Sequence, residues 1–248
     1  MISKAQKKRI ISLRQKKFRR QYGRFLVEGY KSIPEFIQEG WELEVIYTRT
    51  PLVFKGITPE KVVEITEADS KQISALSTPS ESVGVFYTKN SVEYIPDSGL
   101  SVLMDDVQDP GNLGTIIRLC DWFGVTQLIC SQGSADCFNP KVVQASMGSL
   151  ARVPVSYVNL DYFLKQLPET ARVYGTFMEG EPIQNVRIEK ETSNFLILGN
   201  EGHGISDYIR PYIHTSVTIP RKRTGDKPES LNVATATAVL LYAFTSNT

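Results

Sequence analysis

The chain has 248 residues, enough for two modest domains or one large one, and its 41% hydrophobic and 22% charged content is that of a globular protein. No apolar run approaches the roughly 18 residues that a membrane span requires, and the N-terminal MISKAQKKRIISLRQKKFRR is basic without the apolar core of a secretory signal, so the expected compartment is the cytoplasm. The net charge of +1 conceals an asymmetry: residues 1–27 hold ten Lys or Arg and no acid, leaving 18 basic against 27 acidic residues elsewhere.

Residues 4–20 read as one basic helix with Ile10, Ile11 and Leu13 turned inward. Its cations, Lys8, Lys16, Lys17 and Arg20 among them, interleave with Phe18 and Tyr22, which suits a polyanion such as RNA; the alternative is a solvated helix face. FLVEG (25–29) reads as a strand and Ser32 to Glu39 as a helix that ends at Gly40. LEVIYT (43–48), VVEIT (62–66), a helix from Glu67 to Leu76 and SVGVFY (82–87) complete a small α/β unit. The polar stretch TKNSVEYIPDSG (88–99), with Pro96 and Gly99, separates the halves and sets the expected domains at 1–90 and 100–248, joined by a linker at 91–99.

The second half is more apolar: LSVLMDD (100–106), TQLICS (126–131), RVPVSYV (152–158), RVYGTF (172–177), NFLILG (194–199) and SVTIP (216–220), with helices between most of them. Continuous apolar strands alternating with helices predict a parallel sheet covered on both faces, whose ligands bind beyond the carboxyl ends of the strands. Cys120, Cys130 and Cys137, with only His203 and His214 for company, have neither metal-type spacing nor the even count of a disulfide scaffold. Buried thiols and no metal are expected.

Three segments lie at predicted strand ends. In DDVQDPGNLGTIIRLCDWFG (105–124) a strand ends in acids, turns through Pro110-Gly111 and enters a helix near Asn112. At about 100° per residue, Ile116, Leu119, Cys120 and Phe123 share a face and Arg118 lies opposite. LILGNEGHGIS (196–206) is a glycine-rich turn that matches neither a dinucleotide fingerprint nor a phosphate-binding loop, with His203 read as a loop residue. In TIPRKRTGDKPESLNVATATAVLLYAF (218–244) a basic loop precedes a helix of small residues, with Ser230 as the expected N-cap.

In this order, D-x-x-D-P-x-N-x-G-x-I-x-R, L-G-N-E-G, and I-P followed by S-L-N-V-A resemble the three signature motifs of the SpoU (TrmH-like) RNA 2′-O-methyltransferases of the SPOUT superfamily. KKFRRQYGRFLVEGYKSIPEFI resembles that family's substrate-binding domain. The resemblance implies a parallel-sheet α/β domain with a deep trefoil knot, a rare exception to the rule against knots. Before it would stand a small ribosomal-protein-like α/β domain that binds RNA. It further implies S-adenosylmethionine as cofactor, rRNA or tRNA as substrate, and a homodimer. Carried onto this chain, the cofactor positions are Gly199, Ile219 and Leu231, with Glu201 and Gly202 beside them. The catalytic arginine is Arg118, supported by Asn112, Glu201, Ser230 and Asn232. The loop RKRTGDKPE (221–229) is longer and more basic than the family pattern, which leaves the substrate open. So is the role of Arg118, as base or as electrostatic stabiliser. A non-catalytic RNA-binding protein on the same fold is the competing reading, and its signature would be loss of Arg118 or Asn112.

Overall fold

The computed structural model describes residues 2–89, 99–189, 191–221 and 230–246. Most of the separating stretch 88–99 and of the loop 221–229 therefore lies outside the described residues. The elements run α1 (Lys4–Ser12), α2 (Lys16–Tyr22), β1 (Arg24–Glu28), α3 (Ser32–Gln38), β2 (Leu43–Thr48), β3 (Val62–Glu64), α4 (Glu67–Ile73) and β4 (Ser82–Tyr87). They continue as β5 (Gly99–Met104), α5 (Pro110–Trp122), β6 (Gln127–Ser131), α6 (Pro140–Ala145), β7 (Val155–Val158), α7 (Leu160–Lys165), β8 (Arg172–Pro182), β9 (Ser193–Leu198), β10 (Thr215–Thr218) and α8 (Val233–Ser246). The chain forms two compact units, one of Met1–Asn90 with Asp136–Arg152, the other of Ser91–Ala135 with Val153–Thr248.

In the first unit the sheet order is β1-β4-β2-β3, with β4 antiparallel to both neighbours and β3 parallel to β2. The expected single basic helix is two helices. A Ser3–Gln6 capping box starts α1. The buried Arg19 side chain then donates from Nη1 to the carbonyls of Leu13 and Arg14, both at 2.9 Å. Those are the acceptors that Lys17 and Phe18 would need in a continuous helix, so the chain breaks between them. Ile10 and Leu13 are buried as expected, but Ile11, one residue round the helix from Ile10, is 37% exposed.

The segment Asp136–Arg152 also differs from the domain division read from the sequence. It completes the first unit rather than the second. Phe138 lies 4.6 Å from Phe25, ring to ring, and Trp41 Nε1 donates to the Ala151 carbonyl at 3.0 Å. Arg19 Nε reaches Asp136 at 3.1 Å, forming an ion pair with its arginine 3% exposed. Phe25, Phe36, Trp41 and Phe138 thus make one aromatic cluster drawn from both halves of the sequence.

In the second unit β10-β8-β9-β5-β6-β7 are all parallel. Both faces are covered, which is why the strands lack polar alternation. Val173 joins Leu103, Ile129, Phe195 and Ile197 in a core with Phe163 and Leu164 of α7. Tyr174, the next residue and so on the opposite face, packs edge-on to Phe244 of α8 with centroids 5.0 Å apart. Burying each such large apolar side chain contributes roughly 1.5–3 kcal/mol. The three cysteines are buried thiols, as expected, and burial pushes that of Cys120 up.

Candidate active site

An all-parallel sheet delivers every carboxyl end to one edge, and the three motif segments meet there. After β5 the chain passes through Asp105 and Asp106, the latter at φ 55°, and Asp109 caps α5 by accepting the Asn112 N–H at 2.8 Å. Pro110 takes the first helical turn, where no N–H is missed. The buried face of α5 is Leu113, Ile116, Ile117 and Cys120, whereas Leu119 and Phe123 are only half-buried, so the core face is rotated from the one expected. Arg118 is exposed and makes no hydrogen bond or ion pair with another described residue.

The helix α8 is capped by Asn232, not by Ser230. Asn232 Oδ1 accepts the N–H groups of Ala234 and Thr235 at 3.0 and 3.2 Å, and its carbonyl accepts Ala236 N–H at 2.9 Å. Ser230 stands two residues too early for its hydroxyl to fill that role. This cap leaves the Asn232 amide free to point elsewhere, and Nδ2 donates to Asn112 Oδ1 at 2.9 Å. Asn112 Nδ2 in turn donates to Glu201 Oε1 at 2.8 Å. The orientation of both amides is dictated: Glu201 can only accept, and the Asn232 oxygen is occupied by the helix. One line of hydrogen bonds, Asn232 to Asn112 to Glu201, therefore links the three motifs.

Gly199 opens a tight loop closed by a reciprocal pair of 3.0 Å backbone hydrogen bonds between Asn200 and Gly204. A Cβ on Gly199 would sit 2.3 Å from the Gly204 carbonyl carbon, so only glycine fits. Asn200 Oδ1 accepts the N–H groups of Gly202 and His203 at 2.8 and 3.2 Å, which leaves His203 an exposed loop residue as expected. Ile219 follows β10 half-buried, while Ser230 and the 51% exposed Leu231 immediately precede the α8 cap.

Two features escaped the sequence reading. The register between β8 and β10 jumps from Ser216 opposite Gly175 to Val217 opposite Glu181, so β8 makes an excursion at 176–180. Thr176 Oγ1 donates to the Ile197 carbonyl and Thr218 Oγ1 to the Met178 carbonyl, both at 3.0 Å. The excursion thus borders the residues that lead into Gly199 and Ile219. The other feature is Asp105, fully buried behind the glycine loop. Burial and the Asp105 carboxylate both push the Tyr208 phenol up.

In the first unit the basic run divides by role. Lys7 pairs with Asp69, Arg9 and Arg24 with Glu44, Arg19 with Asp136, and Arg14 donates to the carbonyls of Gln72 and Ser74. Lys8, Lys16, Lys17 and Arg20 are exposed, beside a stacked Phe18–Tyr22 pair with centroids 6.0 Å apart.

A parallel α/β sheet whose strand ends gather an asparagine line and a glycine loop matches the architecture of the S-adenosylmethionine-dependent RNA 2′-O-methyltransferases. The chain belongs to the SpoU rRNA Methylase family, whose model matches residues 99–242, and residues 4–84 match an MRM3-like substrate binding domain. It is 32% identical, over 93% of this chain and 92% of the relative, to the 23S rRNA (guanosine(2553)-2′-O)-methyltransferase RlmP of Bacillus subtilis. A protein assigned to the TrmH family of RNA methyltransferases from Porphyromonas gingivalis superposes over 100% of both chains with a TM-score of 0.88 and 38% identity. An AdoMet-bound rRNA methyltransferase from Sinorhizobium meliloti superposes over 98% of this chain and 95% of its own with a TM-score of 0.87 and 28% identity.

Proposed function

We propose that this enzyme methylates a ribose 2′-hydroxyl of ribosomal RNA, with Arg118 as the catalytic side chain. The observation that carries this reading is the Asn232–Asn112–Glu201 line, which joins the three motifs beside the helix that presents Arg118. The residues fit the cofactor. Gly199 has no room for a side chain, the exposed Glu201 offers a carboxylate to a cationic ligand, and Leu231 offers apolar surface. Gly199, Glu201, Gly202, Ile219 and Leu231 would hold S-adenosylmethionine, which when bound supplies an already activated methyl group. The work left to the protein is to orient the ribose and to stabilise the charge that develops on its oxygen.

A guanidinium is a fixed cation, so the role proposed for Arg118 is to face the developing alkoxide as a positive charge, and the proton leaves to water or to an RNA phosphate. Asn112, Glu201, Ser230 and Asn232 keep the floor of the site in register. Lys8, Lys16, Lys17 and Arg20 hold the RNA backbone. The substrate class follows the similarity to RlmP and to the Sinorhizobium enzyme. The carboxyl-terminal domain carries the trefoil knot of the family, the enzyme works in the cytoplasm, and it functions as a homodimer. Exposed apolar side chains on the packed helices α5 and α8 support the dimer: Trp122 is 82% exposed, Tyr242 65% and Val239 40%. Light scattering should give twice the 27.8 kDa chain mass, and a monomer at micromolar concentration overturns the dimer alone. The activity is tested by mapping ribose methylation in ribosomal RNA incubated with protein and S-adenosylmethionine. A new cofactor-dependent 2′-O-methyl mark is expected; none on ribosomal RNA overturns the substrate class.

A further inference from the structure

Asp105 is completely buried, and no cation among the described residues pairs with it. A buried carboxylate without a cation is expensive to keep, and packing alone would be served as well by an apolar residue. Its contacts show what it does instead. The Asp105 N–H donates to the Leu198 carbonyl at 2.9 Å, one residue before the glycine loop begins at Gly199. Its Oδ2 accepts the Ser206 N–H at 2.7 Å, where that loop ends, and its Oδ1 receives the Tyr208 hydroxyl at 3.5 Å. One residue therefore grips both ends of the loop.

The neighbouring residue secures the middle. The Asp106 carbonyl accepts Asn200 Nδ2 at 2.7 Å, and Asn200 is the residue whose oxygen gathers the Gly202 and His203 N–H groups. Asp106 adopts φ 55°, unusual for a residue with a side chain, and is held there by Ser131, whose hydroxyl both donates to its carboxylate and accepts its N–H. Gly133 makes room, since a Cβ there would lie 2.4 Å from Asp106 Oδ1.

We infer that the Asp105–Asp106 pair positions the cofactor loop: Asp105 fixes the span between Leu198 and Ser206 and Asp106 holds Asn200, so that Gly199, Glu201 and Gly202 are presented already in their binding geometry. A loop held in advance loses less freedom on binding, so the gain falls on cofactor affinity rather than on the chemical step. The inference rests on the proposed placement of S-adenosylmethionine at this loop.

The test compares Asp105→Ala, Asp105→Asn and Gly133→Ala with the wild-type protein by calorimetric titration with S-adenosylhomocysteine and by steady-state kinetics. Wild-type binding is read first, because its absence refutes the cofactor assignment and not the role of Asp105. With wild-type binding established, Asp105→Ala should raise the Kd and the cofactor KM at least tenfold while kcat at saturating cofactor stays within threefold. Asp105→Asn keeps an acceptor for Ser206 and should recover part of the loss. RNA affinity should not change. Gly133→Ala, which touches only Asp106, should weaken cofactor binding severalfold and decides the matter if the Asp105 variants do not fold. A folded Asp105→Ala protein with wild-type Kd, a fall in kcat without a change in Kd, or a folded Gly133→Ala protein with wild-type Kd overturns the inference.

Discussion

At the scale of single residues, Arg118 separates stability from activity most cleanly. It is exposed on α5 and bonded to no described residue, so it has no packing duty. Arg118→Ala should change folding stability by no more than about 0.5 kcal/mol, the usual range for an exposed position. Methyl transfer should nonetheless fall by at least roughly a hundredfold, the scale for losing one preorganised electrostatic group. Arg118→Lys distinguishes the two roles open to the residue. A fixed cation with a planar donor fork is poorly replaced by lysine at every pH, whereas a proton acceptor would recover activity as pH rises. Near wild-type turnover by Arg118→Ala would remove the residue from the site. That Asn112, Glu201 and Asn232 come together was legible in the sequence because their motif spacing is distinctive; the role of Arg118 is an expectation drawn from the same motif. Asp105 was not legible, because a carboxylate at a strand end looks the same whether it is solvated or buried; only tertiary structure supplies the Ser206 N–H that explains it.

At the scale of elements, the strands β2 and β4 fall where the apolar patterns placed them, and the boundaries of the others move by one to a few residues. The one long misreading was the basic N-terminal helix. Its composition favours helix throughout 4–20, but a side-chain competitor, Arg19, captures the carbonyls at the break. The same comparison predicts which cations matter to RNA. Replacing the exposed Lys8, Lys16, Lys17 and Arg20 with Glu should weaken RNA binding and flatten its salt dependence without changing cofactor affinity, measurable by filter binding across a salt series. Equal RNA affinity would return these residues to a solvated surface. Arg19 belongs to the other group, and Arg19→Ala should destabilise the protein by about 3–5 kcal/mol, as expected when one partner of a buried ion pair is removed.

The tie between α1 and α4 adds a pH dependence. The Lys7 ammonium and the Thr66 capping contacts hold the Asp69 carboxyl down to about 2 from its usual 3.8. A depressed carboxylate stabilises the fold above its unfolded value and loses that contribution as pH falls through the folded one. The stability gap between wild type and Asp69→Asn should therefore be constant above about pH 5 and close as pH falls toward 2, read from urea midpoints. A gap that persists unchanged at pH 2 would mean that the ion pair and cap are not its source.

At the scale of the whole molecule, the α/β class of each half could be read from alternation, but the membership of Asp136–Arg152 could not. Its sequence sits between two strands of the second sheet, and nothing local marks it as the lining for Phe25 and Trp41. A fragment of residues 1–90 should for that reason expose its aromatic cluster and lack a cooperative thermal transition. Addition of a 136–152 peptide should restore some protection in hydrogen exchange. A fragment 1–90 that melts as sharply as the intact protein would show that the segment is dispensable.

The discontinuous first unit also sets an order of events at the ribosome. Chains emerge N-terminus first, at roughly 5–20 residues per second, and domains ordinarily fold as they clear the tunnel. Here the basic unit cannot close when residue 90 appears. It must wait for Arg152, by which time β5, α5 and β6 have already been made. Closure of the first unit thus falls after part of the second sheet exists, so the two units are built interleaved rather than one after the other.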